Sequence, residues 1–110
     1  MPHSLRDNDL FQTGCLIDGQ WKTLNETFDV LNPATGEVIA QVAKGGKKET
    51  EQAIAAAEKA FPAWRALTAK QRSEILYRWY QLIIESKRWL GELMTAEQGK
   101  PLKEAEGEVE

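Results

Sequence analysis

The chain has 110 residues, enough for one small domain with a core of its own. It carries 14 Lys+Arg against 17 Asp+Glu, a net charge of -3, which excludes the basic face a nucleic-acid binder needs. Hydrophobic content of 42% and charged content of 28% are ordinary for a globular protein, and no apolar run approaches the ~20 residues of a membrane span, so neither a nucleic acid nor a membrane is expected as partner.

The N-terminal residues 1–13 read as a flexible arm. They are polar, without the apolar centre of a secretory signal. His3 has no second ligand-type residue at metal spacing and reads as solvated. The single cysteine, Cys15, rules out an internal disulfide and fits a reducing cytoplasm. Residues 14–46 read as a small antiparallel β-meander. Cys15-Leu16-Ile17-Asp18-Gly19-Gln20-Trp21 has Asp-Gly between apolar flanks, a strong hairpin signal. Cys15 lies in the apolar strand with no His or helix N-terminus nearby, so it reads as a small hydrophobe and not a nucleophile. Thr27 to Leu31 is the next extended segment. Asn32-Pro33-Ala34-Thr35-Gly36 is a turn, and Val38 to Val42 returns as a strand with Val38, Ala40 and Val42 on one face.

Residues 47–110 read as helical, three to four helices in all. Gly46 is the N-cap, and Ala53, Ile54, Ala57, Phe61 and Trp64 form a stripe expected to be buried. Pro62 is expected to end or bend this helix. Thr68-Ala69-Lys70-Gln71 fits a capping box for a second helix with the stripe Ile75, Leu76, Trp79 and Ile83. A break at residues 86–88 precedes a third helix carrying Leu90, Leu93 and Met94. Gly99 and Lys100 stop that helix, and Pro101 starts another. The last helix, with Leu102, Ala105 and Val109, has no C-cap signal, and the chain reads as truncated within it. Its alternating Glu104, Glu106, Glu108 and Glu110 spread around the helix as a solvated face. The aromatic residues fall on the helical stripes and read as core.

Chemistry is sparse. There is no glycine-rich phosphate loop after a strand, no paired Cys/His spacing and no Ser–His or Cys–His arrangement. No catalytic and no cofactor-binding residue is assigned. On spacing alone the chain is an α+β piece.

Six motifs, in order, carry more: Ile17-Asp18-Gly19-Gln20-Trp21, Asn32-Pro33-Ala34-Thr35-Gly36-Glu37-Val38-Ile39-Ala40, Ala53-Ile54-Ala55-Ala56-Ala57, Ala63-Trp64-Arg65, Arg72-Ser73-Glu74-Ile75-Leu76 and Glu97-Gln98-Gly99-Lys100-Pro101-Leu102. Together they resemble the N-terminal segment of the NAD(P)-dependent aldehyde dehydrogenase superfamily. The wording around residues 63–70 and 93–102 is most similar to the succinate-semialdehyde dehydrogenase branch. The resemblance implies an α+β fragment of an α/β fold, the start of the family's cofactor-binding domain. It implies a parent that oxidises succinate semialdehyde to succinate with NAD or NADP, as a homo-oligomer.

The family's catalytic cysteine, general-base glutamate and nucleotide-binding loops lie downstream of residue 110. The chain alone is therefore expected to be inactive, to bind no nucleotide and to need the missing C-terminal part as its partner. The alternative reading is a non-catalytic helical interaction module. Stripes without a sheet to cover them also predict exposed apolar surface and self-association. Glu97, placed against the dipole of its own helix end, needs a partner. Lys100 is the local candidate. The resemblance implies another, a monovalent cation held between Glu97 and the carbonyls of Val30 and Leu31, with a structural role.

Overall fold

A computed structural model describes residues 3–110. A short helical turn, α1 (His3–Arg6), precedes four strands and four helices. The strands β1 (Cys15–Ile17), β2 (Gln20–Lys22), β3 (Thr27–Leu31) and β4 (Val38–Ala43) form an antiparallel meander that pairs as two hairpins, β1 with β2 and β3 with β4. Helices α2 (Lys47–Ala66), α3 (Ala69–Glu85), α4 (Lys87–Gln98) and α5 (Leu102–Val109) follow. This is the α+β arrangement expected from the sequence. Among the described residues, no helix is long and apolar enough to cross a membrane.

Local chemistry explains most element ends. Asp18 and Gly19 both take positive φ, 53° and 72°, as a two-residue turn between right-twisted strands requires. Asn32 accepts the Ala34 amide through Oδ1 at 2.9 Å, fixing the turn between β3 and β4. Thr68 closes a complete capping box: its Oγ1 accepts the Gln71 amide at 3.1 Å, and Gln71 Oε1 accepts the Thr68 amide at 2.9 Å. Ser86 ends α3 and begins α4. Gly99 sits at φ 73°, the left-handed cap expected of it. Pro62 does not end α2, which runs four residues further to Ala66.

Strand β4 departs from simple alternation. Val30 faces Ala40 while Leu31 faces Val38, so Ile39 is an extra residue opposite the β3 pair. Such a bulge re-aims a side chain. Ile39 becomes a core residue, 2% exposed, while Val38 is exposed. The core it joins is small and draws on distant segments: Leu5, Ile39 and Ala96, with Val30, Ala40 and Trp89 packed against it.

The expected loose arm is therefore held at its start. Leu5 is 1% exposed, and its carbonyl accepts Trp89 Nε1–H at 3.1 Å. Arg6 donates to the Ile39 carbonyl at 2.6 Å. One apolar residue in a polar stretch has no periodicity, so its burial leaves no pattern to read.

Helix α5 folds back on α4. Ala105 is fully buried, and Gly91 lets the two helices approach closely. Arg88 bridges them, donating to Glu92 at 2.7 Å and to Glu106 at 3.3 Å. Its guanidinium is held above its ordinary pKa chiefly by the hydrogen bond to Glu92, with further help from the Glu106 charge. Ion pairs Lys87–Glu110 and Lys100–Glu108 flank the same seam, so the acidic residues of α5 are partly paired.

The stripes of α2 and α3 are the main correction. They were expected to be buried, yet neither helix has a buried residue. Ile54, Phe61, Ile75, Leu76 and Trp79 are all exposed. The Cα radius of gyration is 16.6 Å, against about 13 Å for a compact chain of this length. Amphipathic periodicity says that a face needs a cover; it does not say that the cover lies in the same chain.

Candidate functional site

An apolar concavity lies where β3 and β4, the segment before β1, and helices α3 and α4 meet. Its volume is about 490 Å³. The walls are apolar: Leu10 and Phe11 on one side, Val30 and Ile39 from the sheet, Trp79 and Ile83 from α3, Trp89 and Leu93 from α4. Gln12 and Ser86 add polar atoms, and Glu97 is the one charged residue in its lining.

Glu97 lies in the last turn of α4, and Gly99 caps the helix two residues later. The side chain is exposed. Among the described residues it makes no hydrogen bond or ion pair, and Lys100 pairs with Glu108 instead. The local Lys100 partner expected from the sequence is thus taken by α5.

The resemblance implied a cation held by Glu97 and the carbonyls of Val30 and Leu31. Glu97 and Val30 line the same cavity; Leu31, half exposed, does not. A monovalent cation wants several oxygens. The described residues offer one carboxylate beside apolar side chains, and no group of three His, Cys, Asp or Glu residues able to hold a metal. Further oxygens would have to come from the backbone of β3.

Elsewhere the chemistry stays sparse. Cys15 is half-buried in β1, beside Gly45, and free. Thr95 Oγ1 is buried without a hydrogen-bond partner among the described residues. Among the described residues, no Ser–His or Cys–His pair is present. What sequence reading missed is the cavity itself, since Trp79 and Ile83 read as core residues and in fact wall an open groove.

Comparison with known proteins gives this scaffold a context. Residues 21–110 match the Aldehyde dehydrogenase family. The chain is 55% identical over 107 residues to glutarate-semialdehyde dehydrogenase of Pseudomonas putida, covering 96% of this chain and 22% of that protein. It is also 55% identical over 107 residues to the mitochondrial succinate-semialdehyde dehydrogenase of Arabidopsis thaliana, 96% and 20% of the two chains. The crystal structure of succinate-semialdehyde dehydrogenase from Burkholderia pseudomallei superposes with a TM-score of 0.91 at 44% identity, over 96% of this chain and 22% of that one. The chain thus spans about a fifth of the length of these relatives.

Proposed function

Because the chain belongs to the aldehyde dehydrogenase family, we propose that it is the N-terminal segment of a cytoplasmic NAD(P)-dependent enzyme that oxidises a semialdehyde with a terminal carboxylate, succinate or glutarate semialdehyde, to the diacid. One observation carries the substrate class. Two relatives named for substrates one methylene apart are equally identical to it, at 55%. A single methylene is worth only about 1–3 kcal/mol of discrimination in a pocket, so the two semialdehydes are proposed together as one substrate class.

The reaction needs a nucleophile, a base and a hydride acceptor. NAD(P) supplies the last when bound. The residues of this chain do none of the bond making. Their role is to frame: the meander and α4–α5 form a braced unit, and the open faces of α2 and α3 await cover. The sequence has no glycine-rich phosphate loop after a strand, so the nucleotide contacts are assigned to the remainder of the parent.

A hybrid tests the reading. The matching N-terminal segment of the P. putida relative is replaced by residues 4–110 of this chain, and oxidation of succinate and glutarate semialdehyde is followed through NAD(P)H absorbance. The hybrid should keep activity on both, and the 110-residue chain alone should show none. A hybrid that assembles with the parent's melting profile but oxidises neither substrate would sink the proposal.

Glu97 with the carbonyls of Val30 and Leu31 is proposed as a structural cation site in the complete protein. The shared cavity of Glu97 and Val30 supports it. Sodium or potassium should raise the melting temperature of the hybrid but not of its Glu97→Gln variant; equal response in both removes the site.

A further inference from the structure

The segment before β1 runs beside β4 and is tied to that strand at both ends. At its start, Arg6 donates to the Ile39 carbonyl at 2.6 Å and to the Val38 carbonyl at 3.4 Å. Ile39 is the extra residue of the bulge, outside the paired register of β3 and β4. A bulged residue leaves the ladder, and here the guanidinium takes its carbonyl. At the far end, the Thr13 carbonyl accepts the Ala43 amide at 2.7 Å. The next amide, Lys44, donates to the Glu26 carbonyl at 2.9 Å, on the β3 side. Neighbouring amides of a strand point to opposite edges, so the Ala43 amide lies on the edge away from β3.

Between the two ties, Asn8 closes a turn. It accepts the Leu10 amide through Oδ1 and the Phe11 amide through its carbonyl, each at 2.9 Å. Leu10, Phe11 and Gln12 then form one wall of the apolar cavity. Beyond Thr13 the chain is fixed. A methyl on Gly14 would stand 2.6 Å from the Lys22 carbonyl oxygen, so the backbone there lies close against β2.

The grip is concentrated at the start. Leu5 is buried with Ile39 and Ala96, and Trp89 Nε1–H donates to its carbonyl. Ile39 and Trp89 also line the cavity, so the same two residues hold the segment and face the space that it walls. We propose that residues 5–13 are a strap that docks and lifts as one unit about Gly14, with the contacts of Leu5 and Arg6 as its clasp. Lifting it frees the outer edge of β4 and opens one wall of the cavity. Every contact involved lies within this chain, so the strap does not depend on what the rest of the parent lays over α2 and α3. It goes beyond the semialdehyde reading and does not rest on it.

Hydrogen exchange of the full-length hybrid, read residue by residue, tests the strap. Leu5→Ala empties the clasp and should speed exchange of the Ala43 amide, at the opposite end, roughly tenfold or more. The Lys44 amide, bonded on the β3 side, should keep its native rate. Arg6→Gln leaves the buried cluster intact. It should still speed both the Ala43 amide and the Trp89 indole N–H roughly tenfold, although Arg6 is bonded to neither. An Ala43 amide that keeps its native rate in either variant would overturn the proposal, because the two ties would then be independent. Equal acceleration of Ala43 and Lys44 would also overturn it, because the hairpin and not the strap would be opening. Semialdehyde oxidation is not the readout, so an inactive hybrid removes the substrate reading and leaves the strap standing.

Discussion

Gly91 offers a test in which the usual effect of a substitution should change sign. Replacing a mid-helix glycine by alanine ordinarily stabilises by about 1 kcal/mol, since alanine loses less backbone freedom. At Gly91 the added methyl would stand 2.8 Å from Glu106 Cγ, and 3.4 Å from both the Glu106 amide nitrogen and Leu102 Cδ1. The Glu106 side chain can turn away, at the expense of its contact with Arg88 Nη1. The Glu106 amide, at 3.4 Å, is only at ordinary van der Waals contact, so the clash falls on Cγ, one bond beyond Cβ and close to the α5 backbone, where the room to turn is small. Overpacking of this kind costs about 1–3 kcal/mol, so Gly91→Ala should destabilise by roughly 1 kcal/mol net. Gly107 in α5 is the control. A methyl there meets nothing within 4 Å, and Gly107→Ala should stabilise by about 0.5–1 kcal/mol. Urea unfolding followed by tryptophan fluorescence reads both, and hydrogen exchange of the α5 amides should speed up in Gly91→Ala alone. If the two variants gain equal stability, α4 and α5 do not pack as described.

Thr68→Ala removes the side-chain half of the capping box, the Oγ1 that accepts the Gln71 amide, and should cost about 1 kcal/mol, visible as faster amide exchange in the first turn of α3. Trp89→Phe keeps an aromatic ring but loses the donor to the Leu5 carbonyl; about 1 kcal/mol should be lost, and trypsin should cut at Arg6 sooner. Gly99→Ala forces a side chain to φ 73° and brings its methyl to 3.2 Å from Pro33 Cγ, so about 1–2 kcal/mol should be lost, measured by thermal unfolding.

Elements with local causes were legible in the sequence. The Asp18-Gly19 turn, the Thr68 box, the Ser86 break and the Gly99 cap each depend on residues within four positions of one another, and each is in place. What depends on distant partners was not. The bulge that turns Ile39 inward needs the β3 register. The docking of Leu5 needs Trp89. The exposure of Ile54, Phe61 and Trp79 depends on how much surface the chain has to cover them with. The candidate site divides along the same line: Glu97 stood out by its place against a helix dipole, whereas the apolar cavity beside it is assembled from five separate segments.

Leu5, Ile39 and Ala96 form one cluster but leave the ribosome far apart in time. At roughly 5–20 residues per second, on the order of 5–18 s separate the first from the last. The hairpins and α2 can form within microseconds of emerging, yet nothing can close over Leu5 until α4 exists. A nascent chain therefore carries its finished local structure for seconds as beads on a string. The bond from Trp89 to the Leu5 carbonyl then acts as a latch that cannot be fastened before α4 has emerged. Pausing introduced between the codons for α3 and α4 would lengthen that unlatched interval without changing any residue of the product.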